Sequence, residues 1–366
     1  MTPQSWHETL TNVPGPSWHA ACTSLGRAWP ARFMDYHSPP VFRGSDGEAR
    51  RVGIEIELAG LQVDEVAHLV ARVLGGHVEL GDVPTVAHVE DTGLGRFRVE
   101  LDARALQERT WSERLEGIGV DAAPIEDAVL SIAQQLVPVE IVTPPIAIDA
   151  LGELDPLWTA VREAGALGTD AAARYAFGLH LNPDVPVPLT AANILRHLQA
   201  YLLLEDWIAE VEHVNWTRRV TPYIRPFAEP YRRTVLERGY APGLDRLIAD
   251  YLSHSPTRNR PLDLLPLFTY LRPDCLEGRE VHGVELVNPR PTFHYRLPNC
   301  EIDHPGWTPA VSWNRWVRVE RLAAQPERLA KMAEAYGQLR DLPLRLQRGD
   351  WARQVRERWV GREASR

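Results

Sequence analysis

Cysteine is nearly absent from this chain of 366 residues, and Cys22, Cys275 and Cys300 are odd in number and widely spaced. That spacing writes neither a disulfide framework nor a paired-cysteine zinc site, and it fits a reducing compartment. Long apolar runs are missing too: no segment reaches the roughly 18 residues needed to cross a bilayer, and MTPQSWHETLTNVPGPSWHAACTSLG at the N-terminus has no apolar export core. We therefore expect a cytoplasmic protein with no membrane partner. A basic excess is also lacking, since the net charge is -9. This disfavours nucleic acid as a ligand and makes any anionic ligand depend on local arginines or a metal. No internal repeat, low-complexity tract, HExxH pair or Walker loop occurs, which removes repeat arrays, zinc proteases and P-loop enzymes from consideration.

What is present is the composition of a globular protein, with 44% hydrophobic and 24% charged residues. The length admits one large domain or two merged ones. Residues 1–50, rich in Pro, Trp and Gly, read as an irregular lead-in that drapes over the main body. From Arg51 onward, strand and helix patterns alternate. A strand opens at Arg51, and a helix over Val63–Leu74 is stopped by Gly75 and Gly76. PTVAHVE and GRFRVELD flank DTGL as a hairpin. A helix from Pro124 to Leu136, the strand VPVEIVTPP, a helix over Leu151–Ala164, the strand YAFGLHLNP and a helix over Thr190–His213 follow. Residues 214–275 read as mostly helical with a basic, aromatic loop, VHGVELVNP and PTFHYRLPN as strands, and 313–360 as two terminal helices. The expected class is α+β, a mainly antiparallel sheet with helices on one face. The expected division is a lead-in (1–50), a catalytic domain (51–312) and C-terminal helices (313–366).

One oddity recurs along these strands. In RVGIEIEL, Ile54, Ile56 and Leu58 share one face while Glu55 and Glu57 share the other. Like charges at that spacing repel, and burial adds a cost unless water or a cation neutralises them. Arg98, Glu100 and Asp102 likewise alternate with Phe97, Val99, Leu101 and Ala103, and Glu140 opposes Val139 and Ile141. Gly178, His180 and Asn182 oppose Phe177, Leu179 and Leu181, and His294 and Arg296 oppose Phe293, Tyr295 and Leu297. One solvated face of an antiparallel sheet accounts for any of these alternations taken singly. Together, the polar sides hold carboxylates and imidazoles and no lysine. Those are donor types that hold divalent cations.

The ordered set GIEIEL, VELD, VEIVTPP, GLHLNP and YRLPN, over roughly residues 51–300, resembles the amidoligase family of the carboxylate-amine ligase superfamily, whose wider kin are glutamine synthetase and glutamate-cysteine ligase. The resemblance implies a curved antiparallel sheet, of glutamine synthetase-like fold, whose polar concave face binds ATP with Mg2+. It makes Glu55 and Glu57 metal ligands, and Glu100 and Glu140 metal or amine-site carboxylates. His180 becomes a ligand to the nucleotide-side metal, and Arg296 neutralises the phosphoryl group in transfer. His294 stands where the family carries a glutamate two residues before that arginine; imidazole binds a metal but brings no charge. Asn182 stands where relatives carry a second histidine and would hydrogen-bond substrate.

The activity implied is ATP-dependent amide-bond formation through an acyl phosphate, with Glu140 and Arg296 as catalytic groups. The partners implied are a small-molecule or peptide carboxylate and an amine or ammonia, with a glutamine amidotransferase as one ammonia source. In the loop NWTRRVTPYIRPFAEPYRR, guanidinium groups suit phosphate or carboxylate, so Arg225, stiffened by Pro226, is a nucleotide-binding candidate, and Arg218 and Arg219 are substrate-binding candidates. A solvated basic loop is the alternative. Two other functions stay open: a non-catalytic nucleotide- or partner-binding relative, motivated by His294, and a metal-dependent amide hydrolase that uses no ATP. Trp313 and Trp316 read as core residues, and His282 and His304 as ordinary polar ones.

Overall fold

Strand β1 (Arg51–Leu58) buries Val52, Ile54, Ile56 and Leu58 almost completely and leaves Glu55 and Glu57 partly accessible on the opposite side. The computed structural model describes residues 34–81, 85–101, 138–169, 177–212, 214, 224–339 and 344–360. Within them β1 lies at the centre of one sheet. The other strands are β2 (His77–Leu80), β3 (Val86–Thr92), β4 (Gly95–Leu101), β5 (Val139–Val142), β6 (Ile146–Ala147), β7 (Leu179–Pro183), β8 (Leu262–Asp263) and β9 (His294–Tyr295). Their order is β2-β3-β4-β5-β1-β7-β9-β8, with β6 continuing the pairing of β5 along β1. All of these pairings are antiparallel.

The helices are α1 (Val63–Leu74), α2 (Asp155–Glu163), α3 (Ala191–Val211), α4 (Glu229–Leu236), α5 (Leu244–His254), α6 (Leu265–Leu271), α7 (Ala310–Ala323), α8 (Pro326–Gly337) and α9 (Leu344–Gln354). Local chemistry sets their ends. Glu65 Oε2 accepts from the Gln62 amide at 2.8 Å where α1 begins, and Gly75, at φ 79°, ends it in a backbone region that side chains disfavour. Thr190 Oγ1 accepts from the Asn193 amide to start α3. Helix α1 packs against β2, β3 and β4. Under β9, His197 of α3 stacks on Phe293, Tyr201 meets Tyr295 edge-on, and Trp316 of α7 lies against both Phe293 and Tyr295. Each such apolar side chain contributes about 1.5–3 kcal/mol when buried, so the apolar face holds the sheet and leaves the polar face its ligand chemistry.

Several expectations need correction. VHGVELVNP is no strand: Gly283, at φ 77°, turns the backbone left-handed, and Val284–Leu286 forms one 3-10 turn. Among the described residues the C-terminal stretch holds three helices, and Pro326 marks the break between the first two by opening α8. The boundary expected after residue 312 falls inside α7. Strand β2 has no apolar alternation to reveal it, being mostly exposed. The expected helix over Pro124–Leu136 lies outside the described residues.

Residues 35–37 of the lead-in strap onto the body. The His37 amide donates to Asn314 Oδ1 at 2.7 Å, Trp313 Nε1 donates to the His37 carbonyl at 2.9 Å, and the Tyr36 hydroxyl donates to Asp155 Oδ1 at 3.1 Å. Deeper, Arg50 forms a two-pronged pair with Glu320 of α7, both contacts 2.8 Å and both side chains 1% exposed. The same guanidinium donates to the carbonyls of Val41 and Asp184. Removing one member of such a pair leaves a buried charge uncompensated. Glu320→Ala is expected to lower the free energy of urea unfolding by about 3–5 kcal/mol; a loss below about 1 kcal/mol, the range of exposed pairs, would show that the pair does not hold these elements together.

Candidate functional site

Antiparallel pairing sets the polar side chains in rows across the sheet. Glu100, Glu140 and Glu57 stand directly opposite one another on β4, β5 and β1. Gly178 closes that row, its amide donating to Glu57 Oε2 at 2.7 Å. In the next row His88, Arg98, Val142, Glu55 and His180 are successive partners. Asn182 faces Gly53 on one side and touches His294 on the other, and Asp263 of β8 pairs with His294. Arg296 lies just beyond β9, close enough for its charge to bear on both His180 and His294.

His180 is the hinge of the arrangement. Its Nδ1 lies 2.9 Å from Glu55 Oε2, and its Nε2 lies 3.8 Å from Glu57 Oε1. Burial pushes Glu55 up, but the hydrogen bond from His180, the facing His294 and His180, and Arg290 together hold its carboxyl well below the ordinary range. Burial pushes His180 down and His294 further down, against the pull of the carboxylates. Ionised Glu55 and neutral imidazoles satisfy both tendencies, because a neutral ring still donates Nδ1–H to Glu55, and Arg290 supplies a full charge 3.7 Å away. The consequence falls on Nε2 of His180: with Nδ1–H given to Glu55, a neutral ring carries its lone pair at Nε2, 3.8 Å from a Glu57 oxygen. Two ligand atoms about 2.1 Å from one cation lie about 3–4 Å apart, so this pair has the spacing of shared ligands.

His294 is 1% exposed and tied down at Nδ1, 2.6 Å from Asn182 Oδ1. Asn182 Oδ1 also accepts from Arg290 at 2.7 Å, while Asn182 Nδ2 donates to Glu55 at 3.0 Å. Asn182, expected to meet substrate, thus has its amide engaged in positioning Glu55 and His294. Nε2 of His294 is buried without a hydrogen-bond partner among the described residues. Two groups of converging donors result among the described residues, Glu55 with His180 and His294, and Glu57 with Glu140 and His180; in each, the ligand atoms lie within 4.8 Å of one another. These donor sets fit a divalent cation. Glu100 belongs to neither group and pairs with Arg98 at 3.0 Å.

Other groups escaped the sequence reading. Arg290 sits in a loop, where no alternation marks it. Asp263, in the short strand just before α6, accepts at Oδ1 from the Leu265 amide. It is fully buried, 3.5 Å from Arg258, and raised by that burial against the opposing charges of Arg258, Arg296 and Arg290. Arg296 Nη1 donates to the Arg258 carbonyl at 2.6 Å. Three arginines therefore gather at the β8–β9 end of the polar face. Arg225 is exposed, its amide donating to the Asn259 carbonyl; Arg218, Arg219 and Asp102 lie outside the described residues. Lys331 is the only lysine in the chain, so the lack of lysine on these strands is a property of the whole sequence and says nothing of the sheet. The carboxylate row carries that argument instead.

No curated protein matches the chain. The family described as "Putative amidoligase enzyme" matches residues 48–318, a span that begins just before β1, ends within α7 and contains both donor groups. Sheet, donor rows and matched span agree, and the chain belongs to the amidoligase family.

Proposed function

We propose that the protein is an ATP- and magnesium-dependent ligase that joins a carboxylate to an amine or ammonia through an acyl phosphate. The observation that carries this reading is the row of Glu100, Glu140 and Glu57 beside His180, a concentration of negative charge that a cation-bound polyphosphate would complete. Magnesium suits Glu57, Glu140 and His180, where two of the three donors are carboxylates, and when bound it would offset phosphate charge.

The chain's own groups then divide the work. A substrate carboxylate oxygen attacks the γ-phosphorus, the bond to the ADP oxygen breaks, and Arg296 offsets the charge of the phosphoryl group in transit. Arg258 and Arg290 favour an anionic substrate at the same end of the face. The amine nitrogen next attacks the acyl carbon, phosphate leaves, and the amine proton passes to a carboxylate. Glu100 suits that step better than Glu140, because it stands outside both donor groups, with Oε1 turned to Arg98. Positioning and charge supply the acceleration without a protein nucleophile.

Calorimetric titration with a non-hydrolysable ATP analogue tests the core of this reading. We expect binding that requires magnesium in the native protein and is at least about tenfold weaker in Glu57→Ala, the scale on which metal sites respond to lost ligands. Absence of binding to either protein would overturn the ligase reading and favour an amide hydrolase that uses the carboxylates without nucleotide.

The direction of the imidazole shifts gives a second expectation. His180 and His294 are pushed below the ordinary histidine value of 6.5, so both rings are neutral at pH 7 and protonate only on acidification. Proton and cation compete for the same ring nitrogen. Magnesium-dependent affinity should therefore be level from about pH 8 to 7 and fall only below the ordinary histidine value of 6.5; affinity already falling between about pH 8 and 7 would contradict imidazole ligands held neutral by burial.

A further inference from the structure

We infer that Glu55, His180 and His294 form a site for a borderline divalent cation such as manganese, cobalt or zinc, one that takes magnesium poorly. The inference rests on the reading of this face as cation-binding, and it concerns which cation each donor group selects. Three observations support it. His294 has one ring nitrogen committed to Asn182 and the other buried without a partner among the described residues, within a group whose ligand atoms lie inside 4.8 Å. The rings of His180 and His294 meet edge-on with centroids 5.3 Å apart, so two imidazoles serve one small volume. Arg290, 3.7 Å from Glu55, already offsets the single carboxylate of the group.

Magnesium is held by oxygen and gains most from net negative charge, whereas imidazole favours the borderline ions through its lone pair and needs no charge to do so. A group of two neutral rings and one offset carboxylate therefore discriminates against magnesium. The group of Glu57, Glu140 and His180 offers two carboxylates to one ring, and that oxygen-rich donor set discriminates the other way. Because a neutral His180 has a single lone pair, filling the histidine-rich group takes that ring away from Glu57 and Glu140, and magnesium there must complete its shell with water or phosphate oxygens.

Cobalt(II) is a suitable probe, since nitrogen ligation gives it visible absorption. Titration of the native protein should produce visible bands that millimolar magnesium does not remove. In His294→Gln, folded as judged by circular dichroism, cobalt should bind at least about tenfold more weakly. In His294→Glu, magnesium should displace cobalt at a concentration at least about tenfold lower than any that succeeds with the native chain. Identical spectra and affinity in native protein and His294→Gln would overturn the inference, and so would magnesium displacing cobalt equally from native and His294→Glu proteins. Titration of the same proteins with the ATP analogue separates the two ideas: nucleotide binding without cobalt bands sinks this inference and leaves the ligase reading, while cobalt bands without nucleotide binding do the reverse.

Discussion

Repulsion between carboxylates on one face of a sheet is the constraint around which this protein is arranged. Two charges about 5 Å apart oppose each other by about 3 kcal/mol at an effective dielectric near 20, and Glu57, Glu140 and Glu100 face one another in direct register. The strands cannot slide to relieve it. A shift of one residue would carry Val52, Ile54, Ile56 and Leu58 to the polar side and lose the burial that holds the sheet to its helices. The apolar face thus fixes the acids in place, and the only relief left is positive: hydrogen-bond donors, guanidinium groups or a cation.

Relief comes unevenly. Near Glu55 the protein supplies its own, through the donors of His180 and Asn182 and the charge of Arg290. At Glu57 the means differ, with a Gly178 amide on one oxygen and a ring nitrogen of His180 3.8 Å from the other. Two neighbouring sites with different electrostatic demands arise from one strand, because the residues that flank the two acids differ: Val142 and His180 beside Glu55, Glu140 and Gly178 beside Glu57.

Much of this was readable from period-2 alternation, which requires no knowledge of distant contacts. The faces of β1, β4, β5 and β7 and the limits of α1 follow from it and from Gly75. What escaped is non-local. Arg290 lies in a loop, and its bond to Asn182 spans 108 residues. Asp263 lies in a two-residue strand too short to show alternation, and its place beside His294 comes from pairing across the chain. The roles of Asn182 changed for the same reason: a polar residue on a strand declares its face, while the partners waiting there come from elsewhere in the chain. The false strand at VHGVELVNP shows the converse, since alternation persisted through a glycine whose backbone had already turned.

Arg50 joins regions that the sequence keeps far apart. It precedes β1, bonds to the carbonyl of Asp184 just after β7, and is neutralised by Glu320. Those two strands carry Glu55, Glu57 and His180. Glu320 lies two residues past the end of the family-matched span at 318. A fragment cut at the limits of that span would therefore keep every cation donor yet strand a buried guanidinium at the root of the strands that present them.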